Sequence, residues 1–284
     1  MFPSAFDYHR AASVDDAIAV LSANPEAKIL AGGYSLIPAM KLRLANPAML
    51  VDLTRLEELK GVEIGDETVT IGAMTTYDQL RDTPGIAELF PSVIQSIGVI
   101  GDQQVRANGT IGGTLAHNDP AADFTAVFSS LRGSVVVKGP NGERSISADQ
   151  LFVDLWTTAL EADEVITSVI LPKPAPGTVA GYRKHQHPAS GYAIVGLAAA
   201  VTVVDGLVSA ANIVVTGATS IATHAAAAEE ALVDKPLDAD SITVAADVAA
   251  QDLDLNPSPY ASEAYLSQLV KVLTGRVLNA AIEA

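Results

Sequence analysis

A glycine- and threonine-rich run between apolar segments constrains this chain more than any other feature. It covers residues 106–120 and reads RANGTIGGTLAHNDP. This composition is typical of a loop whose backbone approaches a ligand closely and whose hydroxyl groups face that ligand. We therefore expect a loop at 106–120 that binds an anion through main-chain N–H groups.

A second glycine turn, AGGYSL at residues 31–36, precedes this run in the chain. The apolar stretch 28–31 predicts a short strand that enters the turn, and Pro38 is typical of the first turn of a helix that begins near Leu36. Two such turns facing one site would suit a pyrophosphate. The turn at 31–36 does not match the sequence pattern of a P-loop, of a Gly-x-Gly-x-x-Gly fingerprint or of a nucleophile elbow. A plain tight turn is the alternative.

The two stretches resemble the FAD-binding motifs of the flavoprotein subunits of molybdenum hydroxylases, above all the medium subunits of aerobic carbon monoxide dehydrogenases. Residues 31–43, followed by 51–53, resemble the first motif, and residues 110–113 with 116–123 resemble the second. The resemblance extends from Phe6 to the C-terminus. It implies an α+β protein with a vanillyl-alcohol-oxidase/PCMH-type FAD-binding domain of two α/β subdomains. A C-terminal domain with a small antiparallel sheet covered by helices would follow.

Turn-forming and proline-rich stretches divide the chain into three parts. A β-α-β subdomain is expected over 1–55, a second FAD-binding subdomain over 56–175 and a C-terminal domain over 178–284, after the proline-rich linker 172–177. Local patterns further predict a hairpin over 61–72, helices over 86–100 and 121–131, and a strand over 165–171. In the last part they predict strands over 193–204 and 207–215 and helices over 224–232 and 261–282.

The resemblance implies non-covalent FAD, held without any catalytic side chain or metal ligand in this chain. The N–H groups of residues 32–36 and 111–114 would bind the pyrophosphate, with added hydroxyl donors from Ser35 and Thr110. The residues expected to bind the cofactor are Ala31, Gly32, Gly33, Tyr34, Ser35, Leu36, Gly101, Thr110, Ile111, Gly112, Gly113, Thr114, His117, Asp123, Lys184 and Tyr192.

Three of these residues have a stated role and a simpler alternative. Asp123 would accept hydrogen bonds from ribose or ribityl hydroxyls, or it only starts a helix. Lys184 would lie near the N1/C2 edge of the flavin, or it is a surface lysine. Tyr192 would lie against the isoalloxazine face, or it is a core tyrosine at the head of a strand.

Histidines mark where the chain departs from the family pattern. His185 and His187 stand where many relatives have an aromatic residue and basic residues, and on a strand they would share a face. No third ligand lies nearby in sequence, so a metal site is not expected. His117 would contact the cofactor or only the backbone, and a triad of Ser35, His117 and Asp119 rests on composition alone.

Charge and cysteine content exclude several classes of function. The formal net charge is −16 and the basic residues are scattered, so the long-range field repels nucleic acid. The chain has no cysteine, so a cysteine-ligated iron–sulfur cluster must belong to another subunit. The longest apolar run, 193–204, is too short to span a bilayer. We expect a cytoplasmic protein that could lie at the inner face of the membrane through its complex.

The resemblance implies an electron-transfer subunit rather than a complete enzyme. Its partners would be a large molybdenum subunit, which holds the molybdenum cofactor, and a small subunit with [2Fe–2S] clusters, in a dimer of heterotrimers. Electrons would leave to an external acceptor such as a quinone. The alternatives are a stand-alone flavin oxidase, which would need a base near the flavin, and a non-catalytic nucleotide-binding module.

Overall fold

The computed structural model describes residues 1–282, in which three sheets of three, five and four strands pack with helices between them. The first sheet is parallel, in the order β1-β3-β2, and consists of β1 (Asp7–Arg10), β2 (Ala27–Leu30) and β3 (Met49–Asp52). Helices α1 (Val14–Ala23) and α2 (Leu36–Lys41) connect its strands. The predicted strand–turn–helix at 28–41 is therefore confirmed.

The second sheet is antiparallel, in the order β4-β5-β10-β6-β7. Its strands are β4 (Val62–Ile64), β5 (Thr68–Gly72), β6 (Ser134–Gly139), β7 (Gly142–Ser147) and β10 (Val165–Pro172). The intervening helices are α3 (Tyr77–Arg81), α4 (Ile86–Leu89), α5 (Pro91–Val99), α6 (Gln103–Asn108), α7 (Ile111–His117), α8 (Asp123–Ser130) and α9 (Ala148–Leu151). A separate hairpin consists of β8 (Phe152–Asp154) and β9 (Thr157–Thr158).

The third sheet is antiparallel and buried on both faces. Its strands are β11 (Thr178–Gln186), β12 (Ala193–Val204), β13 (Leu207–Thr216) and β14 (Thr223–His224). Helices α5 and α8 pack on one face, and the other face packs against α10 (Ala226–Leu232) and α12 (Glu263–Ile282). Helix α11 (Ala239–Val248) packs on these two helices. Ala198 and Ala200 join the core of the second sheet, whereas Leu197 and Ala199 face the C-terminal helices. Two covered faces explain why β12 is almost continuously apolar.

Several local predictions were wrong or incomplete. The helix expected over 86–100 is two helices, because the second one begins at Pro91. Residues 106–120 are not a loop, since 106–108 belong to α6 and 111–117 form α7. Strand β11 and helix α11 were not predicted. None of the helices in residues 1–282 combines the length and the apolar composition that a bilayer span requires.

A charged pair fastens the segment before β10 to the edge strand β7. The guanidinium of Arg144 donates to both carboxylate oxygens of Glu164, at 2.7 and 2.8 Å, and also to the carbonyl of Ala159 at 2.8 Å. The Arg144 hydrogen bonds lower the pKa of the Glu164 carboxyl, against the opposing effect of burial. A lowered pKa means that the ion pair stabilises the fold above the unfolded-state pKa and that this stabilisation is lost as the pH falls.

We expect Glu164→Gln to lower the free energy of unfolding at neutral pH by about 1 kcal/mol, because Arg144 is half exposed and solvent screens the pair. The difference from the wild type should shrink below about pH 4.3, the unfolded-state pKa of a glutamate, and disappear only below the lowered folded-state pKa, where Glu164 is protonated in both states. Urea unfolding at a series of pH values measures it. Glu143→Gln, an exposed neighbour in β7, is the matched control, and equal losses in both variants would contradict the prediction.

Candidate functional site

The first glycine turn leaves a row of main-chain donors open. Strand β2 ends at Leu30, Gly33 has a left-handed φ of +77°, and α2 begins at Leu36. Within the described residues, no protein acceptor lies within hydrogen-bonding distance of the N–H groups of residues 32–36. Ser35 precedes α2 without capping it, so its hydroxyl group is also free of a capping bond. These groups can bind an anion without losing an internal bond.

In the second glycine motif, by contrast, the main-chain N–H groups donate to acceptors within the protein. The N–H groups of Ile111 and Gly112 donate to the carbonyls of Thr75 and Ala73, at 3.0 and 2.8 Å. Those of Gly113 and Thr114 donate to the hydroxyl and the carbonyl of Thr110, which caps α7. These N–H groups have acceptors within the protein, and their binding to a pyrophosphate stays a prediction. Ile111 in addition lies fully in the core, away from the site.

Glycine is required in this motif for close packing. A Cβ atom at Gly112 would lie 2.6 Å from the Cβ of Ala73, so only glycine lets α7 pack against the end of β5. The packing of the motif therefore positions a wall of the site.

The two glycine motifs touch each other. A Cβ atom at Gly32 would lie 2.1 Å from the carbonyl oxygen of Asn108 and 3.1 Å from the Cα of Gly109, and one at Gly113 would lie 3.5 Å from the Cβ of Ala31. Motifs more than 70 residues apart in sequence thus form one continuous surface. The expectation that the two turns meet is confirmed.

A cleft of about 750 Å³ runs along this junction between the three sheets. It is lined by every residue of the predicted site except Ile111, from Ala31 at the first turn to Lys184 and Tyr192 on the third sheet. A cleft of this size and mixed polarity is typical of a site for a cofactor-sized ligand.

At the third-sheet end of the cleft lies a buried ion pair. The Nζ atom of Lys184 is 3.0 Å from Oδ2 of Asp123 and donates to the carbonyl of Gly191 at 2.7 Å. The hydroxyl group of Tyr182 donates to the other carboxylate oxygen of Asp123. Burial raises the pKa of the Asp123 carboxyl, and the Lys184 ammonium opposes that rise. Asp123 both starts α8 and holds Lys184, so Lys184 is not a surface lysine.

Tyr192 is about half exposed and lines the cleft at the same end. Burial, followed by the carboxylates of Asp119 and Asp123, raises the pKa of the Tyr192 phenol. It is therefore a cleft residue rather than a core tyrosine.

His117 ends α7 and lines the cleft, while Asn118 continues the chain in a left-handed conformation.

Sequence reasoning missed one wall of the cleft. The turn of the β8–β9 hairpin carries the only tryptophan of the chain, Trp156, which is 60% exposed, lines the cleft and has a left-handed φ of +49°. The buried side-chain amide of Asn118 fixes this hairpin by donating to the carbonyls of Asp154 and Thr157 at 2.8 and 2.9 Å. No local pattern marks these residues, because the contact to Asn118 spans 36 to 39 positions.

Two family models cover the chain. Residues 4–174 match the FAD binding domain in molybdopterin dehydrogenase, and residues 180–281 match the CO dehydrogenase flavoprotein C-terminal domain. The chain belongs to this family of FAD-binding flavoproteins. The family membership explains the combination of open donors and a long cleft, since the diphosphate of FAD is an anion that main-chain N–H groups bind.

Individual relatives match over nearly the whole chain. The carbon monoxide dehydrogenase medium chain of Hydrogenophaga pseudoflava is 34% identical over 99% of this chain and 98% of its own. The 6-hydroxypseudooxynicotine dehydrogenase complex subunit alpha of Paenarthrobacter nicotinovorans is also 34% identical, over 99% and 96%. The solved carbon monoxide dehydrogenase from H. pseudoflava that lacks the Mo-pyranopterin moiety superimposes with a TM-score of 0.95 at 36% identity, covering 100% of this chain and 99% of that one.

The flavoprotein cleft fits FAD by two observations on its own residues. The open N–H groups of residues 32–36 match the acceptor oxygens of a diphosphate. The close approach at Gly32 brings both motifs to the ligand, and any side chain there would push them apart. The chain is an FAD-binding oxidoreductase subunit.

We expect Gly32→Ala to cost about 1–3 kcal/mol of stability through overpacking against Asn108 and to lower the FAD content of the purified protein. The ratio of flavin absorbance at about 450 nm to protein concentration measures the FAD content. Gly98→Ala is the control, because a Cβ atom at Gly98 in α5 has no neighbour within 4 Å. Equal FAD content in Gly32→Ala, Gly98→Ala and the wild type would contradict this role of Gly32.

We expect Lys184→Met to lower the free energy of unfolding by about 3–5 kcal/mol, because it leaves the Asp123 carboxylate buried without its cation. The loss should shrink as the pH falls and Asp123 binds a proton. Adding Asp123→Asn should recover most of the loss, which a double-mutant cycle by urea unfolding measures. A Lys184→Met effect below about 1 kcal/mol would show that the pair is not a stabilising contact.

Proposed function

We propose that this subunit passes electrons from the [2Fe–2S] clusters of a small subunit to an external acceptor such as a quinone, within a dimer of heterotrimers that includes a large molybdenum subunit. FAD supplies the redox chemistry, because it accepts single electrons and delivers a pair. The observation that carries the proposal is the contact between the two glycine motifs, which forms one cleft from the open N–H groups of residues 32–36 to Lys184.

The side chains of the cleft support a holding role rather than substrate chemistry. Asp123 and Lys184 neutralise each other, and Tyr182 uses the second carboxylate oxygen. Neither charged group is therefore available as a base for an organic substrate, as a stand-alone flavin oxidase would need. The roles left to this chain are to bind the diphosphate at residues 32–36, to orient the flavin beside Lys184 and Tyr192, and to limit access to it.

The site residues take their proposed roles from this geometry. The main-chain donors of Gly32, Gly33, Tyr34, Ser35 and Leu36 bind the diphosphate, with hydroxyl groups from Ser35 and Thr110. Gly112, Gly113 and Thr114 supply the facing wall through their packing. Lys184 raises the reduction potential of the flavin. Because Lys184 is paired to Asp123, this electrostatic effect is smaller than that of a lone cation. Tyr192 shields the ring system.

For the substrate of the complex we propose carbon monoxide first. Carbon monoxide dehydrogenase medium chains match this chain at 34% and 38% identity, the second over 81% of the chain. A 6-hydroxypseudooxynicotine dehydrogenase subunit reaches 34% as well and a nicotine 6-hydroxylase medium subunit 33%, so an N-heterocycle is the second candidate. The residues that select the substrate belong to the molybdenum subunit. The complex would lie in the cytoplasm, at the inner face of the membrane where a quinone is reduced.

Purification of the native protein from its source tests the proposal. We expect flavin absorbance at about 370 and 450 nm and two co-purifying polypeptides with molybdenum and iron. Addition of carbon monoxide should bleach the flavin band. Bleaching by an N-heterocycle but not by carbon monoxide would identify an N-heterocycle as the substrate of the complex. A yellow protein that stays a single polypeptide and oxidises a substrate alone would favour the stand-alone oxidase, and a colourless one the nucleotide-binding module.

A further inference from the structure

The turn that joins β11 to β12 covers one end of the cleft. Ser190, Gly191 and Tyr192 in this turn line the cleft. On its inner side the turn is held by Lys184, whose Nζ atom donates to the Gly191 carbonyl at 2.7 Å. The remaining contacts of the turn centre on His187, one of the two histidines at which the chain departs from the family pattern.

His187 closes the turn with both its backbone and its ring. Its N–H group donates to the carbonyl of Tyr192 at 2.8 Å, and its carbonyl accepts from Gly191 at 2.9 Å. The ring atom Nδ1 accepts from the N–H groups of Ala189 and Ser190, at 3.2 and 3.3 Å. An imidazole nitrogen accepts only while it carries no proton. The closed turn therefore requires a neutral His187 with its proton on Nε2.

The ring of His187 lies among aromatic groups and groups that are already paired. The ring of Tyr260 packs edge-on at a centroid distance of 4.7 Å, and Tyr192 is the other titratable group on the turn. The charged pair of Lys184 and Asp123 holds the opposite end, at Gly191. In residues 1–282, ion pairs of histidine involve His9 and His224 and not His187. A proton on Nδ1 would thus remove two hydrogen bonds without gaining a carboxylate partner.

His185 provides a comparison within the same strand. Its Nε2 atom lies 3.3 Å from the hydroxyl of Tyr265, and the two rings meet edge-on at 6.1 Å. Its ring forms no hydrogen bond to the 187–192 turn within the described residues. The two histidines therefore have the same kind of aromatic neighbour, but His187 alone accepts from the turn.

We propose that His187 is a positioning residue whose Nδ1 acceptor keeps the 187–192 turn closed and Tyr192 over the cleft. The proposal rests on the proposed function for the identity of the group that Tyr192 covers, but the closure of the turn does not depend on it. Access to the cleft end would rise when this acceptor is lost.

Hydrogen–deuterium exchange of the 187–192 segment in the purified complex tests the proposal. Rates are compared at neutral pH after division by those of an unfolded peptide of the same sequence. His187→Ala should exchange about tenfold faster than the wild type, because it loses both bonds to Nδ1. His187→Asn should stay protected, because its amide oxygen accepts from the same N–H groups.

His185→Ala is the matched control and should follow the wild type. Iodide quenching of flavin fluorescence, measured on the same samples, should rise wherever exchange rises. Wild-type exchange in His187→Ala, or faster exchange in His187→Asn or His185→Ala, would overturn the proposal. Absence of flavin would overturn the proposed function, while the exchange rates would still decide the role of His187.

Discussion

The contact of the Gly32 backbone with the Asn108 carbonyl is the constraint on which the site depends. It brings a turn of the first sheet against the segment between α6 and α7, and the cleft follows that junction. Neither element could come so close if residue 32 carried a side chain. The contact is between two backbones, so it fixes the position of the open N–H groups more rigidly than flexible side chains would.

The second anchoring point is electrostatic and lies across the domain junction. Lys184 and Tyr182 come from β11, and Asp123 comes from the start of α8, so their bonds fasten the third sheet to the helices of the second. A shared apolar core that includes Tyr182, Ala198 and Val214 surrounds this polar cluster. Breaking the cluster would therefore loosen the cleft and the domain junction together.

The sequence allowed the prediction of those parts of the fold that local signals determine. The turn at 31–36 was predicted because a strand, two glycines and an early proline stand next to one another. Helix α7 was not, because threonine and glycine are poor helix formers and its geometry depends on the contact of Gly112 with Ala73, 39 residues earlier. Strand β11 was missed because prolines precede it and polar residues interrupt its end. All the residues predicted to bind the cofactor except Ile111 line the cleft, but the bond between Lys184 and Asp123 spans 61 positions and changes the role of both.

An acidic protein that binds an anionic dinucleotide needs an explanation, given a net charge of −16. The long-range field of such a chain repels anions, and its buried cation at the site, Lys184, is already matched by Asp123. Oriented N–H groups avoid this difficulty, because their partial charges act only within a few ångströms and add nothing to the net charge. In the proposed role, the glycine turn would therefore provide local attraction for the diphosphate inside a field that discourages polyanions such as nucleic acids, and selectivity for a single bound cofactor would follow from this difference in range.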